Sequence, residues 1–111
     1  MGVILKTFND LEFEPHPFYP DGSIASIEFD NGITASIVSC KACYSNPDDN
    51  PPSYEIAMFK EANYIPLGRY DDVLGWQTEV EINVLFEDVQ TDGDGFIQSR
   101  EDARTGRDFN G

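Results

Sequence analysis

Ile24-Ala25-Ser26-Ile27-Glu28-Phe29-Asp30-Asn31-Gly32-Ile33-Thr34-Ala35-Ser36-Ile37-Val38 decides the fold. Ala25, Ile27 and Phe29 alternate with Ser26 and Glu28, and Ile33, Ala35 and Ile37 alternate with Thr34 and Ser36. A period of two puts each apolar set on one face of a strand. Asp30-Asn31-Gly32 sits between the two runs, and Asn and Gly accept the positive φ that tight turns need. The stretch therefore reads as a β-hairpin with one apolar face.

Outward from the hairpin, Tyr54 to Phe59 reads as a third strand that re-enters the sheet, and Leu11 to Glu14 as a short strand before it. Pro15, Pro17 and Pro20 make the chain around His16, Phe18 and Tyr19 extended and irregular. Asp21-Gly22 marks a turn. Residues 39–53 form a loop, because the Asn46-Pro47 to Pro51-Pro52 segment cannot continue a helix or a central strand. Asn63 to Gly75 reads as irregular chain. Thr78, three residues before Glu81, is a capping box that opens a helix. Val80, Ile82, Val84, Leu85, Phe86 and Val89 supply its apolar stripe. The β-branched residues leave a strand there as the weaker alternative.

The expected fold is α+β: a small antiparallel β-sheet of three or four strands packed on one C-terminal amphipathic helix. The expected core is Ile27, Phe29, Ile33, Ile37, Ile56, Trp76, Leu85 and Phe86. Residues 1–89 hold 16 acids and 4 bases, and residues 90–111 hold 5 and 3. That shift, with the loss of large apolar residues, sets the boundary of the compact domain at Val89. The remainder is a C-terminal extension.

The chain of 111 residues carries 21 Asp plus Glu against 7 Lys plus Arg, a net charge of −14. This argues against direct nucleic-acid binding, which needs Lys and Arg to displace counterions. It also disfavours an anionic membrane, and no apolar run reaches the length of a span. Met1 to Leu5 is too short and too poor in basic residues for a signal peptide. The charge fits solubility, or an acidic face that docks on a basic surface of another protein.

Gln90 to Glu101 resembles a degenerate, single EF-hand calcium loop. On that resemblance, oxygens come from Gln90, Asp92, Asp94, the Phe96 carbonyl, Ser99 and Glu101, with Gly95 at the sharp turn. Gln90 stands where the family has Asp, which removes one negative charge and lowers affinity. Calcium is the one cofactor the sequence suggests. The alternative is an Asp-Gly turn leading into a disordered tail.

Other motifs carry less. Cys40 and Cys43 form a C-x-x-C, but zinc needs four ligands and a redox pair should open a helix. Two incidental thiols in a reducing compartment are the simpler reading. His16 has no catalytic partner in sequence and reads as a packing or capping residue. Asp71 and Asp72 read as solvated loop acids. No P-loop, G-x-S-x-G, H-E-x-x-H or dinucleotide fingerprint is present, so an enzyme is not expected.

Four ordered patches carry a wider likeness: Asp10 to Pro17, Phe29 to Gly32 with Ala35 to Val38, Ser53 to Ala57, and Asp72 to Trp76 with Thr78. Over about residues 10–89 the chain resembles a group of small uncharacterised proteins of tailed bacteriophages. The group has no assigned activity. Its members have a Gly- and Tyr-rich loop where this chain has Cys40 to Pro52, and they end near the helix. The resemblance implies action in a host cytoplasm, as a small acidic accessory protein that inhibits or modulates a host protein with a basic surface. A calcium-binding module and a minor virion component are the alternatives.

Overall fold

The computed structural model describes residues 5–41, 43, 45–46, 48–68 and 72–105. They form a six-stranded antiparallel sheet and two C-terminal helices. The strands are β1 (Glu14–Pro15), β2 (Ser23–Glu28), β3 (Ile33–Ser39), β4 (Tyr54–Lys60), β5 (Asn63–Ile65) and β6 (Leu74–Gln77). The helices are α1 (Glu79–Thr91) and α2 (Gly93–Thr105). The α+β class expected from the sequence is the class observed. The sheet has more strands than expected, and a second helix follows the first.

The β2–β3 hairpin forms as its turn residues dictate. Gly32 closes the loop at φ 85°, a left-handed conformation that costs a glycine little. Ala25 faces Ile37 across the pair, and Ile27 faces Ala35. On the other edge of β3, Ala35 faces Met58 and Ile37 faces Ile56. Opposed residues share a face, so these side chains make one apolar layer. Helix α1 closes that layer with Ile82, Leu85, Phe86 and Val89, which recur at helical spacing and are all buried. The Phe86 ring meets Phe29 edge-on at 5.1 Å.

The stretch expected to be irregular from Asn63 to Gly75 contributes β5 and the start of β6. Both pair with β4: Met58 faces Ile65, and Tyr54 faces Gln77. The β4–β5 turn is made by Glu61 (φ 53°) and Ala62 (φ 68°), two residues without a turn signature. The core also continues past Val89, where the sequence sets a boundary. Phe96 in α2 is 8% exposed and belongs to the same buried cluster, with Ile97 packed against it. Residues 93–105 are therefore helix, joined to the core at Phe96.

The N-terminal segment is tied to α1 by side-chain amides. Gln90 accepts from the Lys6 backbone N–H through Oε1 (2.9 Å) and donates to the Lys6 carbonyl through Nε2 (2.8 Å). Asn83 Oδ1 accepts from the Phe8 N–H at 2.8 Å. From the hairpin loop, Asn31 donates to the Val89 carbonyl at 2.8 Å, meeting one of the orphan acceptors at the helix end.

The two cysteine sulfurs are joined, which corrects the expectation of incidental thiols. The Cys43 N–H donates to the Cys40 carbonyl at 3.3 Å, and this tight turn brings the α-carbons to 5.3 Å. Cys40 is fully buried, with both its N–H and its carbonyl bonded to the Ser45 hydroxyl. A β-carbon at Gly22 would lie 2.9 Å from that of Cys40, so the β1–β2 turn seats against the disulfide only because residue 22 has no side chain.

Candidate functional site

The residues that resemble a calcium loop take other tasks. Asp92 ends α1: its N–H donates to the Asp88 carbonyl at 3.1 Å. Its carboxylate then accepts from the Gly95 N–H at 3.1 Å, and its carbonyl from the Phe96 N–H at 2.9 Å. One residue thus closes one helix and caps the next. A β-carbon at Gly95 would push the Asp92 carboxylate out of its capping position. Asp94, in the first turn of α2, pairs with Lys60 at 3.3 Å. Gln90 holds Lys6, as described above. Phe96 packs in the core, and its ring lies 5.0 Å from the Arg100 guanidinium carbon. Ser99 and Glu101 are exposed on α2.

The six candidate ligands do not all line one cavity. Asp92, Phe96 and Ser99 line a cleft of about 450 Å³ between α1 and α2, with Glu87, Asp88 and Arg100. Gln90, Asp92 and Asp94 line a second hollow of about 380 Å³ with Asn31 and Lys60. Glu101 lines neither. Among the described residues, no group of three His, Cys, Asp or Glu side chains is placed to hold a metal ion.

His16 accepts from the Phe18 N–H through Nδ1 at 3.0 Å and packs its ring 4.8 Å from that of Tyr19. This is the local packing and capping role expected of it. Of the Asp71–Asp72 pair, Asp71 lies outside the described residues, and Asp72 is half-buried.

The distribution of charge is ordered. No Asp or Glu among the described residues is buried, and most are exposed. Three of the cations have bonded partners. Lys6 Nζ donates to the Glu28 carbonyl at 2.6 Å, Arg100 Nη1 to the Leu67 carbonyl at 3.1 Å, and Lys60 meets Asp94.

The second feature is the outer face of α1. Trp76 was expected in the core but is 58% exposed. It sits where the β4–β6 register shifts, with φ 59°. A bulge re-aims a side chain, and here it turns the indole out. A left-handed conformation is costly for a bulky residue. Val80 and Val84, expected on the buried stripe, are 72% and 57% exposed. The buried stripe centres on Ile82, Leu85, Phe86 and Val89, and the two valines point to its opposite side. Each costs about 0.5 kcal/mol in helix propensity relative to alanine. Thr78 and Glu81 make the expected capping box, so the helix start is fixed: the Thr78 N–H donates to Glu81 Oε1 at 3.0 Å.

Beside this helix start, Phe8, Phe13 and Tyr54 form an aromatic cluster with ring centroids 5.2 to 5.9 Å apart. Burial, and secondarily the Glu79 carboxylate, hold the Tyr54 phenol above its ordinary pKa.

No family model, curated protein or solved structure matches the chain. Among the described residues, no helix is long and apolar enough to cross a membrane.

Proposed function

We propose that the protein is a non-enzymatic binding module of phage type, which docks its acidic exterior on a basic surface of a host protein and so inhibits or modulates it. One observation carries this reading: no Asp or Glu among the described residues is buried, while Lys6 and Arg100 are tied to backbone carbonyls. With a net charge of −14, the result is a negative field over the surface. Such a field speeds encounter with cationic partners and repels nucleic acid and anionic membranes. The resemblance to small phage proteins over residues 10–89 supports a host cytoplasm as the place of action.

The test is affinity purification from infected cells with identification by mass spectrometry, followed by titration of the purified partner at two salt concentrations. A basic partner is expected, with association slowed by roughly tenfold or more as salt rises past physiological strength. Binding indifferent to salt, or turnover of a small molecule by the purified protein, would overturn the proposal.

A further inference from the structure

We infer that the partner docks on the outer face of α1, with Trp76, Val80 and Val84 as apolar anchors inside an acidic rim, and that it is a cationic amphipathic protein segment. This rests on the function proposed above and deepens it by giving the partner's chemistry. Val80 and Val84 are one helical turn apart and share a face. Trp76 lies two residues ahead of the N-cap Thr78, at the Val80 end of the helix. The three are among the most exposed large apolar residues of those described. Glu87 and Asp88 follow Val84 by three and four residues on the same side, and Glu79 and Glu81 flank Val80; all four are exposed.

Apolar anchors inside a charged rim are the arrangement in which a few residues carry most of the binding energy and the rim sets specificity. Charge complementarity selects the occupant. A second copy would set these carboxylates against their own equivalents, and a nucleic acid or an anionic lipid would meet the same repulsion. A segment with Arg or Lys around an apolar stripe satisfies both parts of the face.

The test uses the full chain and three synthetic peptides: an Arg/Leu amphipathic helix, an Arg/Ser peptide of equal charge, and a Glu/Leu helix. Trp76 is the only tryptophan, so its emission reports on the face directly. The Arg/Leu peptide is expected to shift Trp76 emission and to bind at least about tenfold tighter than the Arg/Ser peptide. A Val80→Ser, Val84→Ser double variant should lose about tenfold of that affinity with unchanged circular dichroism, since neither side chain is in the core. Trp76→Gly suits the left-handed backbone and should lose a similar factor by calorimetry. Equal binding of both Arg peptides, untouched by these variants, would overturn the docking face and leave the broader charge reading standing. If the Glu/Leu peptide bound as well as the Arg/Leu one, or if no Arg peptide bound, both would fall.

Discussion

Replacing Phe96 with alanine separates a packed α2 from a loose extension. Phe96 is 8% exposed and sits in the same cluster as Ile33, Phe86 and Val89. Phe→Ala in a core costs about 3–5 kcal/mol, from lost transfer energy and the void left behind. The ring lies at the rim of the cluster, and the Arg100 side chain beside it can move into part of the void. The lower end, about 3 kcal/mol, is therefore the expected loss. A domain of this length is stable by roughly 6–17 kcal/mol, so the loss is a large fraction of the total. With a urea m-value of about 1.5 kcal/mol/M, the midpoint should fall by about 2 M. Urea titrations followed by far-ultraviolet circular dichroism and by Trp76 emission would read this, and coincident curves would justify two-state treatment. Ser99→Ala and Glu101→Gln, at exposed positions of the same helix, should stay within about 0.5 kcal/mol of the parent. If Phe96→Ala unfolded within about 0.5 kcal/mol of the parent, α2 would not belong to the core as argued. A midpoint raised by millimolar calcium would return the calcium-loop reading, because only a ligand of the folded state stabilises it.

Two further outcomes follow from the backbone and from Tyr54. Changing Glu61-Ala62 to Asn-Gly should raise stability by about 1 kcal/mol, some 4 °C in Tm, because relief of two left-handed residues outweighs the greater unfolded freedom of glycine; an unchanged or lower Tm in calorimetry would count against the turn assignment. The Tyr54 phenol is held above its ordinary pKa of 10.0, so its protonated form is favoured in the fold. That contribution is complete below the ordinary tyrosine range and is lost as pH rises through the folded pKa. Glu79→Gln removes the second cause of the shift and should bring the Tyr54 titration back down, read by tyrosinate absorbance against a Tyr54→Phe background; no movement would refute the contact.

The sequence made the β2–β3 hairpin legible because Asn31-Gly32 states its turn and both flanking strands alternate. The start of α1 was equally clear, since Thr78 and Glu81 form a local, reciprocal cap. The β4–β5 turn was hidden because neither Glu61 nor Ala62 favours a left-handed backbone; the pairing of Met58 with Ile65 imposes it. Size and apolarity put Trp76 in the expected core, but a register shift, which depends on the partner strand, turned it outward. The apolar stripe of α1 was read too broadly: Val80 and Val84 are apolar by composition yet stand opposite the buried face. On the calcium-loop resemblance a short exit helix capped by Ser99 or Asp102 was expected. Helix α2 starts earlier, at Gly93, because Asp92 caps it and Phe96 and Ile97 pack on the core, contacts that a largely polar sequence does not announce. The disulfide was not readable, because the spacing of two cysteines does not say whether a turn will bring them together. At the candidate site the sequence showed the acids but not their direction, nor that Lys6 and Arg100 would bond to backbone carbonyls.

The amide clasp at Gln90 has a consequence for a molecule of such charge. Carboxamides neither titrate nor attract counterions, so the bonds from Gln90 to Lys6 and from Asn83 to Phe8 hold alike in acid, in alkali and in brine. The first strap of the polypeptide stays seated under conditions that would loosen a fastening made of opposite charges. The electrostatic exterior can then respond to its surroundings without loosening the seam beneath it.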